Sequence, residues 1–336
     1  MARTLETTAS ASAAACPARL MARSAALEPV PTAVVAAGSP VALESARRAT
    51  ELGLIEPVLV GDPAAIADSA RRIGWTLHGA CVVAARDDAA AARIAVALAR
   101  SGDVRALMKG HIHTDTLMLA ALDPKSGLRT GRRFTHAFHM TLPGSGRELV
   151  ITDAAINVAP SLDTRLDIIR NAVELWRLVG GSDPRVALLS CTEEVTERVP
   201  SSMDADRLTR LCQREMPGAT VFGPLALDLA VSAEAARIKS LSHPCAGAAD
   251  ILVVPNIETG NALFKALVHF LDAVAAGIVL GAAVPIVLTS RADPPAARIA
   301  AAAIAQIVAG RSRPTTHGAP YPTTAAKGGA APSLHA

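Results

Sequence analysis

The sequence predicts an α/β protein with two domains of mostly parallel sheet and a cleft between them, on three observations. From Thr32 onward, short apolar runs alternate with amphipathic segments, which is the pattern of βα units. Several of the apolar runs are continuous rather than alternating, as strands buried on both faces of a parallel sheet require. The chain has 336 residues, 51% hydrophobic and 19% charged, with a mean hydropathy of +0.33. At ~150 residues per domain that is about two domains, with enough apolar surface for a large core, so a disordered chain is excluded. Aromatics make up only 2%, so alanine and branched aliphatics must fill that core.

Residues 32–37 read as a strand and 40–53 as a helix with apolar positions at helical spacing. Residues 57–60 form a second strand, ended by Gly61 and Asp62, and a helix starts at Pro63. Strands at 81–85 and 104–108 are separated by an alanine-rich helix at 88–100. The pattern changes between Arg129 and Asp153. There, 135–142 and 148–152 read as an antiparallel hairpin around Pro-Gly-Ser-Gly at 143–146, and this break marks the domain crossing. The alternation then resumes with helix 164–180, strand 185–190, helix 204–216, strand 219–222 and helix 225–239. It ends with strand 250–254, helix 258–275, strands 278–280 and 285–288 and helix 294–309. The expected division is a frayed terminus at 1–31, a first domain of 32–145 plus 290–310, a second of 146–289, and a disordered tail at 311–336 rich in Pro, Gly, Thr and Ala.

Charge and cysteine content narrow the function. Lys and Arg total 33 and Asp and Glu 30, a net +3 that is too balanced for a protein whose main partner is nucleic acid, so an anionic ligand must be met locally. Five scattered cysteines, odd in number and without a C-x-x-C pair, give neither a disulfide framework nor a structural zinc site, and a cytoplasmic location is expected. The longest apolar run, 274–289, is shorter than the ~18 residues of a membrane span and contains Gly277, Gly281 and Pro285; it reads as two buried strands. The first thirty residues lack an apolar stretch of ~7–15 residues after a charged start, so no secretory signal is expected, while an organelle presequence stays open.

No G-x-G-x-x-G, P-loop, H-E-x-x-H or G-x-S-x-G motif occurs. Ligands of open α/β sheets bind beyond the carboxyl ends of the strands, so the polar residues there are the candidates. Lys109 and Gly110 follow one strand, with Thr114 placed to cap the next helix; backbone amides and Lys109 could hold a phosphate, or form only a capping turn. Thr289, Ser290, Arg291 and Asp293 follow a wholly apolar strand and precede a proline-started helix. Arg291 can clamp a phosphate or developing oxyanion, Ser290 can donate to it, and Asp293 can accept a proton, hold the arginine or simply cap the helix. Asn261 and Lys265, four apart, share a helix face near its positive end. Asp228 falls in the first turn of another helix, and Thr152-Asp153 ends a strand. His111, His113, His136 and His139 form H-x-H and H-x-x-H pairs, but no acidic or cysteine partner stands at ligand spacing, so no metal site is assigned.

Read together, these strand ends resemble the phosphate acetyltransferase / phosphate butyryltransferase family over about 32–310. The resemblance is carried by Gly-Pro-Leu-Ala-Leu-Asp at 223–228, Asp-Ile-Leu-Val-Val-Pro at 250–255, Gly-Asn-Ala-Leu-Phe-Lys at 260–265, Gly-Ile-Val-Leu-Gly at 277–281 and Pro-Ile-Val-Leu-Thr-Ser-Arg-Ala-Asp at 285–293. Met-Lys-Gly at 108–110 and Ile-Thr-Asp-Ala-Ala-Ile-Asn at 151–157 agree with it. The resemblance implies the two-domain fold of the isocitrate and isopropylmalate dehydrogenases, with the C-terminal helix completing the first domain, and a homodimer. It implies acyl-CoA plus phosphate going reversibly to acyl phosphate plus CoA in a ternary complex, with no covalent acyl-enzyme and no metal or tightly held cofactor. Ser290 and Arg291 match the family's phosphate and transition-state pair. Where the acetyl-specific branch has a catalytic aspartate several residues further on, this chain has Pro294, Pro295, Ala296 and Ala297, and Asp293 is the nearby carboxylate. The Ser-Arg-x-Asp form resembles the butyryl branch, which leaves acetyl against butyryl open. Lys109, Gly110, Thr289, Asn261, Lys265 and Asp228 are expected to bind substrate. A catalytically degenerate acyl-CoA-binding protein on the same scaffold is the alternative. A metal- and NAD-dependent β-decarboxylating dehydrogenase would need clustered aspartates that the sequence lacks.

Overall fold

The computed structural model describes residues 16–77, 80–180, 182–289 and 293–311. The chain runs α1 (Ala18–Ser24), β1 (Val30–Val35), α2 (Pro40–Glu51), β2 (Ile55–Gly61), α3 (Pro63–Arg72), β3 (Cys81–Ala84), α4 (Asp88–Ser101), β4 (Ala106–Lys109) and α5 (Thr114–Leu122). It continues with β5 (Thr135–Thr141), β6 (Glu148–Thr152), α6 (Leu162–Gly180), β7 (Arg185–Leu189), α7 (Pro200–Glu215), β8 (Thr220–Leu225), α8 (Leu227–Val231) and α9 (Ala233–Ile238). The last elements are β9 (Ile251–Val253), α10 (Ile257–Leu271), β10 (Val274–Leu280), β11 (Ile286–Val287) and α11 (Pro295–Arg311).

Helix starts follow local chemistry. Ser39 and Asp62 accept the backbone N–H groups of Ala42 and Ala64, each just ahead of a proline that needs no donor partner, and Asp87 and Asn256 cap α4 and α10 in the same way. The described strands form one eleven-stranded sheet in the order β3-β2-β1-β4-β11-β10-β5-β6-β9-β7-β8. The β3-β2-β1-β4-β11 group is parallel throughout, and so is β6-β9-β7-β8. Between them, β10 is antiparallel to both β11 and β5, and β5 is antiparallel to β6. Three reversals therefore place the carboxyl ends of the two parallel groups at opposite edges of the sheet.

The two faces of the sheet are covered differently. On one, a continuous core runs through both groups, from Leu43 of α2 and Val34 of β1 to Trp176 of α6, Leu208 of α7 and Ile304 of α11. The other face carries two separate clusters, one under α4 and α5 around Leu107 and Leu117, the other around Phe138, Leu229 and Leu252 beside α8 and α10. The C-terminal helix α11 packs on β10, α1, α2 and α6, so it spans the junction.

Several expectations change. Residues 16–31, read as a frayed terminus, include α1, whose Leu20 and Ser24 are buried against α11. Residues 274 and 275 leave the expected helix and, with 276 and 277, join β10, because pairing with β5 in a strand buried along its whole length outweighs alanine's preference for helix. The expected helix at 225–239 is divided at Ser232, whose side chain caps α9. His113 occupies the cap position of α5, and Thr114 is its first helical residue. β3, read as buried, is a largely exposed edge strand. The tail expectation for 312–336 lies outside the described residues.

Candidate functional site

From β1 the chain builds outward through α2, β2, α3 and β3, then returns through α4 to β4 on the other side of β1. Leu43 of α2 packs on one face of the sheet and Ala95 of α4 on the other. The carboxyl ends of β1 and β4 therefore part around a topological switch point, the place where open α/β sheets bind ligands. Gly110 closes its base: its N–H donates to the Val35 carbonyl at 2.9 Å, and the N–H of His111 donates to that of Ala36 at 3.0 Å. A Cβ at position 110 would stand 2.5 Å from the Val35 oxygen, so only glycine lets the two strand ends approach this closely.

A cavity of about 290 Å³ opens at this crevice, lined by Lys109, Gly110, His111 and Thr289, by Ser39 at the N-terminus of α2, and by Arg298 of α11. Thr289 is there because β11 lies beside β4, with Val287 opposite Met108. Lys109 Nζ donates to the Thr289 carbonyl at 3.5 Å. Two cations and a helix N-terminus around one hollow make a site for an anion with several oxygens. A second cavity, of about 500 Å³, shares Ser39, Pro40 and His111 with it and extends over the ends of β2 and β3 toward Asp62, Arg72 and Arg86.

The structure thus brings Lys109, Gly110 and Thr289 together. Ser290 and Arg291 lie outside the described residues, between Thr289 and Asp293. Asp293 is half-buried, and its carbonyl is held by Arg298. Asp228, Asn261 and Lys265 sit at the opposite sheet edge, following β8 and β9, and do not line this cavity. Asp228 is exposed in the first turn of α8. It adds to a field, set mainly by the Glu193 hydrogen bond, that raises the pKa of Lys239. Asn261 is half-buried and Lys265 exposed on α10. The carboxylate of Asp153 is buried and fully engaged, accepting from the backbone N–H groups of His136, Ala155 and Ile156 and from Asn157 Nδ2, so the end of β6 is a fastened turn.

The histidine pairs separate. His111 and His113 are exposed, whereas His136 and His139, three apart on β5, point to opposite faces and are both buried. Burial pushes both imidazoles down to about 4, opposed at His136 by the Asp153 charge and reinforced at His139 by Arg19.

Arg298 was not among the expected site residues. Its signal is present in the sequence: it is the one charged residue between Pro294 and Gly310, in a stretch otherwise almost wholly apolar. Ser39 and Ser45 carry no such mark, because serines near a helix start are common.

A family model described as Phosphate acetyl/butaryl transferase matches residues 87–306. A phosphate acetyltransferase of Rhizobium meliloti is 46% identical over 88% of this chain and 94% of its own length. A phosphate butyryltransferase of Clostridium acetobutylicum is 38% identical over 82% of this chain and 92% of its own. Among solved structures, a branched-chain phosphotransacylase from Enterococcus faecalis V583 superposes with a TM-score of 0.72 at 35% identity, covering 82% of this chain and 99% of that one. A phosphotransacetylase from Streptococcus pyogenes has the same fold, with a TM-score of 0.76 at 21% identity over 87% and 97% of the two chains.

Proposed function

The chain belongs to the phosphate acetyl/butyryl transferase family, and from that membership we propose that it moves an acyl group reversibly between coenzyme A and inorganic phosphate. The observation that carries the reading is the meeting of Lys109, the α2 N-terminus and Thr289, the residue before Ser290 and Arg291, at one cavity in the switch-point crevice.

In the proposed reaction, the CoA sulfur attacks the carbonyl carbon of the acyl phosphate, a carbon–sulfur bond forms, and the bond from that carbon to the phosphate oxygen breaks. The phosphate leaves as the anion it was before transfer. Lys109 and the α2 amides hold this anion, and Arg291 with Ser290 stabilises the charge gathering on the carbonyl and leaving oxygens. Asp293 takes the thiol proton. Both substrates are bound at once, so no acyl group rests on the protein, and CoA is a substrate rather than a resident cofactor. Acetyl and butyryl thioesters are both within the reading, since relatives of each name match over most of the chain.

The protein is proposed to work in the cytoplasm as a homodimer. Supporting the first, Cys16, Cys81, Cys191, Cys212 and Cys245 are all free thiols, with no disulfide among the described residues. Among the described residues, no helix is long and apolar enough to cross a membrane. Supporting the second, α10 is strongly apolar yet buries only Gly260.

The test is a thioester assay. Acetyl-, propionyl- and butyryl-CoA are each mixed with the protein, with and without phosphate, and phosphate-dependent loss of thioester absorbance is expected for at least one. Arg291→Ala is expected to lower kcat/KM by at least ~100-fold, the scale of losing one preorganised charge stabiliser. CoA binding without turnover at any chain length would replace the transferase with a binding protein, and near-wild-type turnover of the variant would remove Arg291 from the mechanism.

A further inference from the structure

We infer that the apolar part of the cavity beside Lys109 receives the acyl chain of the substrate, and that its walls on α2, β4 and β11 select four-carbon acyl groups over acetyl. The inference rests on the function proposed above and names the substrate of that same site.

The cavity has two unlike regions. At the strand ends, Lys109, Gly110 and Ser39 form the polar region proposed to hold the phosphate. Much of the remaining lining is apolar: Pro40, Val41 and Ala42 of the first turn of α2, Met108 of β4 and Val287 of β11. The fold explains this wall. Val287 lies opposite Met108 in register, so both side chains leave the same face of the sheet, and both belong to the continuous core beneath α2. Leu43, Ala46 and Ala49 of α2 close over that core, but the turn before them extends past its edge, with Val41 48% exposed and Ala42 half-buried. Apolar side chains left uncovered around a hollow form a surface for an apolar ligand group.

The polar groups beside this wall already have partners. Ser45 Oγ accepts from Arg298 Nη1 at 3.0 Å and donates to the Val41 carbonyl at 2.8 Å, while Arg298 Nε and Nη2 both donate to the Asp293 carbonyl. An alkyl chain laid against Val41 and Met108 therefore strips water from no unmet hydroxyl. Size limits the chain. At about 290 Å³ the cavity stands at the low end of the ~300–1,000 Å³ typical of small-molecule pockets, enough for phosphate with a short acyl group and too small for the nucleotide of CoA as well.

An acetyl group covers little of this wall. Each further methylene buried against it favours the longer thioester by about fourfold, so the two that separate butyryl from acetyl give about 15-fold. Discrimination by one methylene in enzyme pockets reaches ~10–200-fold, so the effect is large enough to set preference.

The experiment measures kcat/KM for acetyl-CoA and butyryl-CoA at fixed phosphate in wild type, Ala42→Leu and Val41→Phe, and reads the butyryl-to-acetyl ratio, in which losses common to both substrates cancel. Wild type is expected to show a ratio of at least about fivefold. Ala42→Leu fills the hollow from α2 without weakening the helix and is expected to lower that ratio by at least about tenfold. Val41→Phe, on the more exposed part of the same turn, gives a second reading if Ala42→Leu does not fold. A wild-type ratio below fivefold overturns the inference and leaves the transferase function standing. A ratio lowered tenfold by neither folded variant also overturns it, because the chain then lies elsewhere. A wild type silent with acetyl-, propionyl- and butyryl-CoA alike overturns the proposed function and, with it, this pocket.

Discussion

His139 shows how a single buried residue makes stability depend on pH. It is 1% exposed, and neither ring nitrogen has a hydrogen-bond partner among the described residues, so burial favours the neutral ring in the folded protein. Its pKa is pushed down to about 4 by burial and by Arg19, against an ordinary value of 6.5. Between those values the unfolded chain binds a proton that the folded chain does not, so stability is complete above about pH 6.5 and is lost as the pH falls toward 4. His136 acts in the same sense. His139→Leu removes two orphaned polar atoms at similar volume and is expected to hold or raise the melting midpoint at pH 7.5, and to flatten its decline between pH 6.5 and 4.5. A midpoint that falls in parallel with wild type across that range would show that His139 does not carry the effect. The sequence identified the histidine but not its burial, because the alternation on β5 is obscured: both faces of the strand are covered.

At the scale of elements, the crevice between β1 and β4 depends on one missing side chain. Gly110→Ala would force a Cβ to 2.5 and 2.6 Å from the carbonyl oxygens of Val35 and Ala36, atoms of backbone that cannot swing aside. It is expected to destabilise the protein by about 1–3 kcal/mol, as overpacking does, and to raise KM for phosphate by spreading the strand ends beneath Lys109. Unchanged melting and unchanged phosphate saturation would show that the strand ends separate without cost. The elements themselves were largely legible. Caps at Ser39, Asp62, Asp87 and Asn256 and continuous apolar strands fall where local chemistry dictates. The sequence misplaced those decided by distant partners: β10 needs β5 to be a strand, and α1 needs α11 to be ordered against it. The site was legible in the same measure. Lys109, Gly110 and Thr289 stood at strand ends and meet in the crevice, but a linear reading could not tell that β8 and β9 point to the other edge, taking Asp228, Asn261 and Lys265 with them.

At the scale of the whole molecule, the same reversal leaves an asymmetry in how apolar surface is covered. The continuous face is sealed by α2, α6, α7 and α11, whereas the second cluster on the opposite face is bordered by α10, fifteen residues long with Gly260 alone buried. Phe264 of this helix stacks on Phe138 with ring centroids 4.0 Å apart, which anchors its inner side. Its end stays open: Phe270 is 84% exposed and Leu271 55%. Leu263, Phe264, Leu267 and Val268 pack inward, and the exposed pair at the helix end is the apolar surface that the proposed dimer would cover with the same pair of a second copy. Phe270→Glu places a charge in this exposed apolar pair and is expected to convert a dimer to a monomer in sedimentation velocity while leaving the far-ultraviolet circular dichroism unchanged. A wild-type monomer at micromolar concentration, or a variant dimer as tight as wild type, would remove α10 from the interface. Because α10 also carries Asn261 and Lys265, the monomeric variant separates two roles for the opposite sheet edge. Retained turnover per chain means that the crevice at Lys109 works alone, and lost turnover means that the second copy completes it.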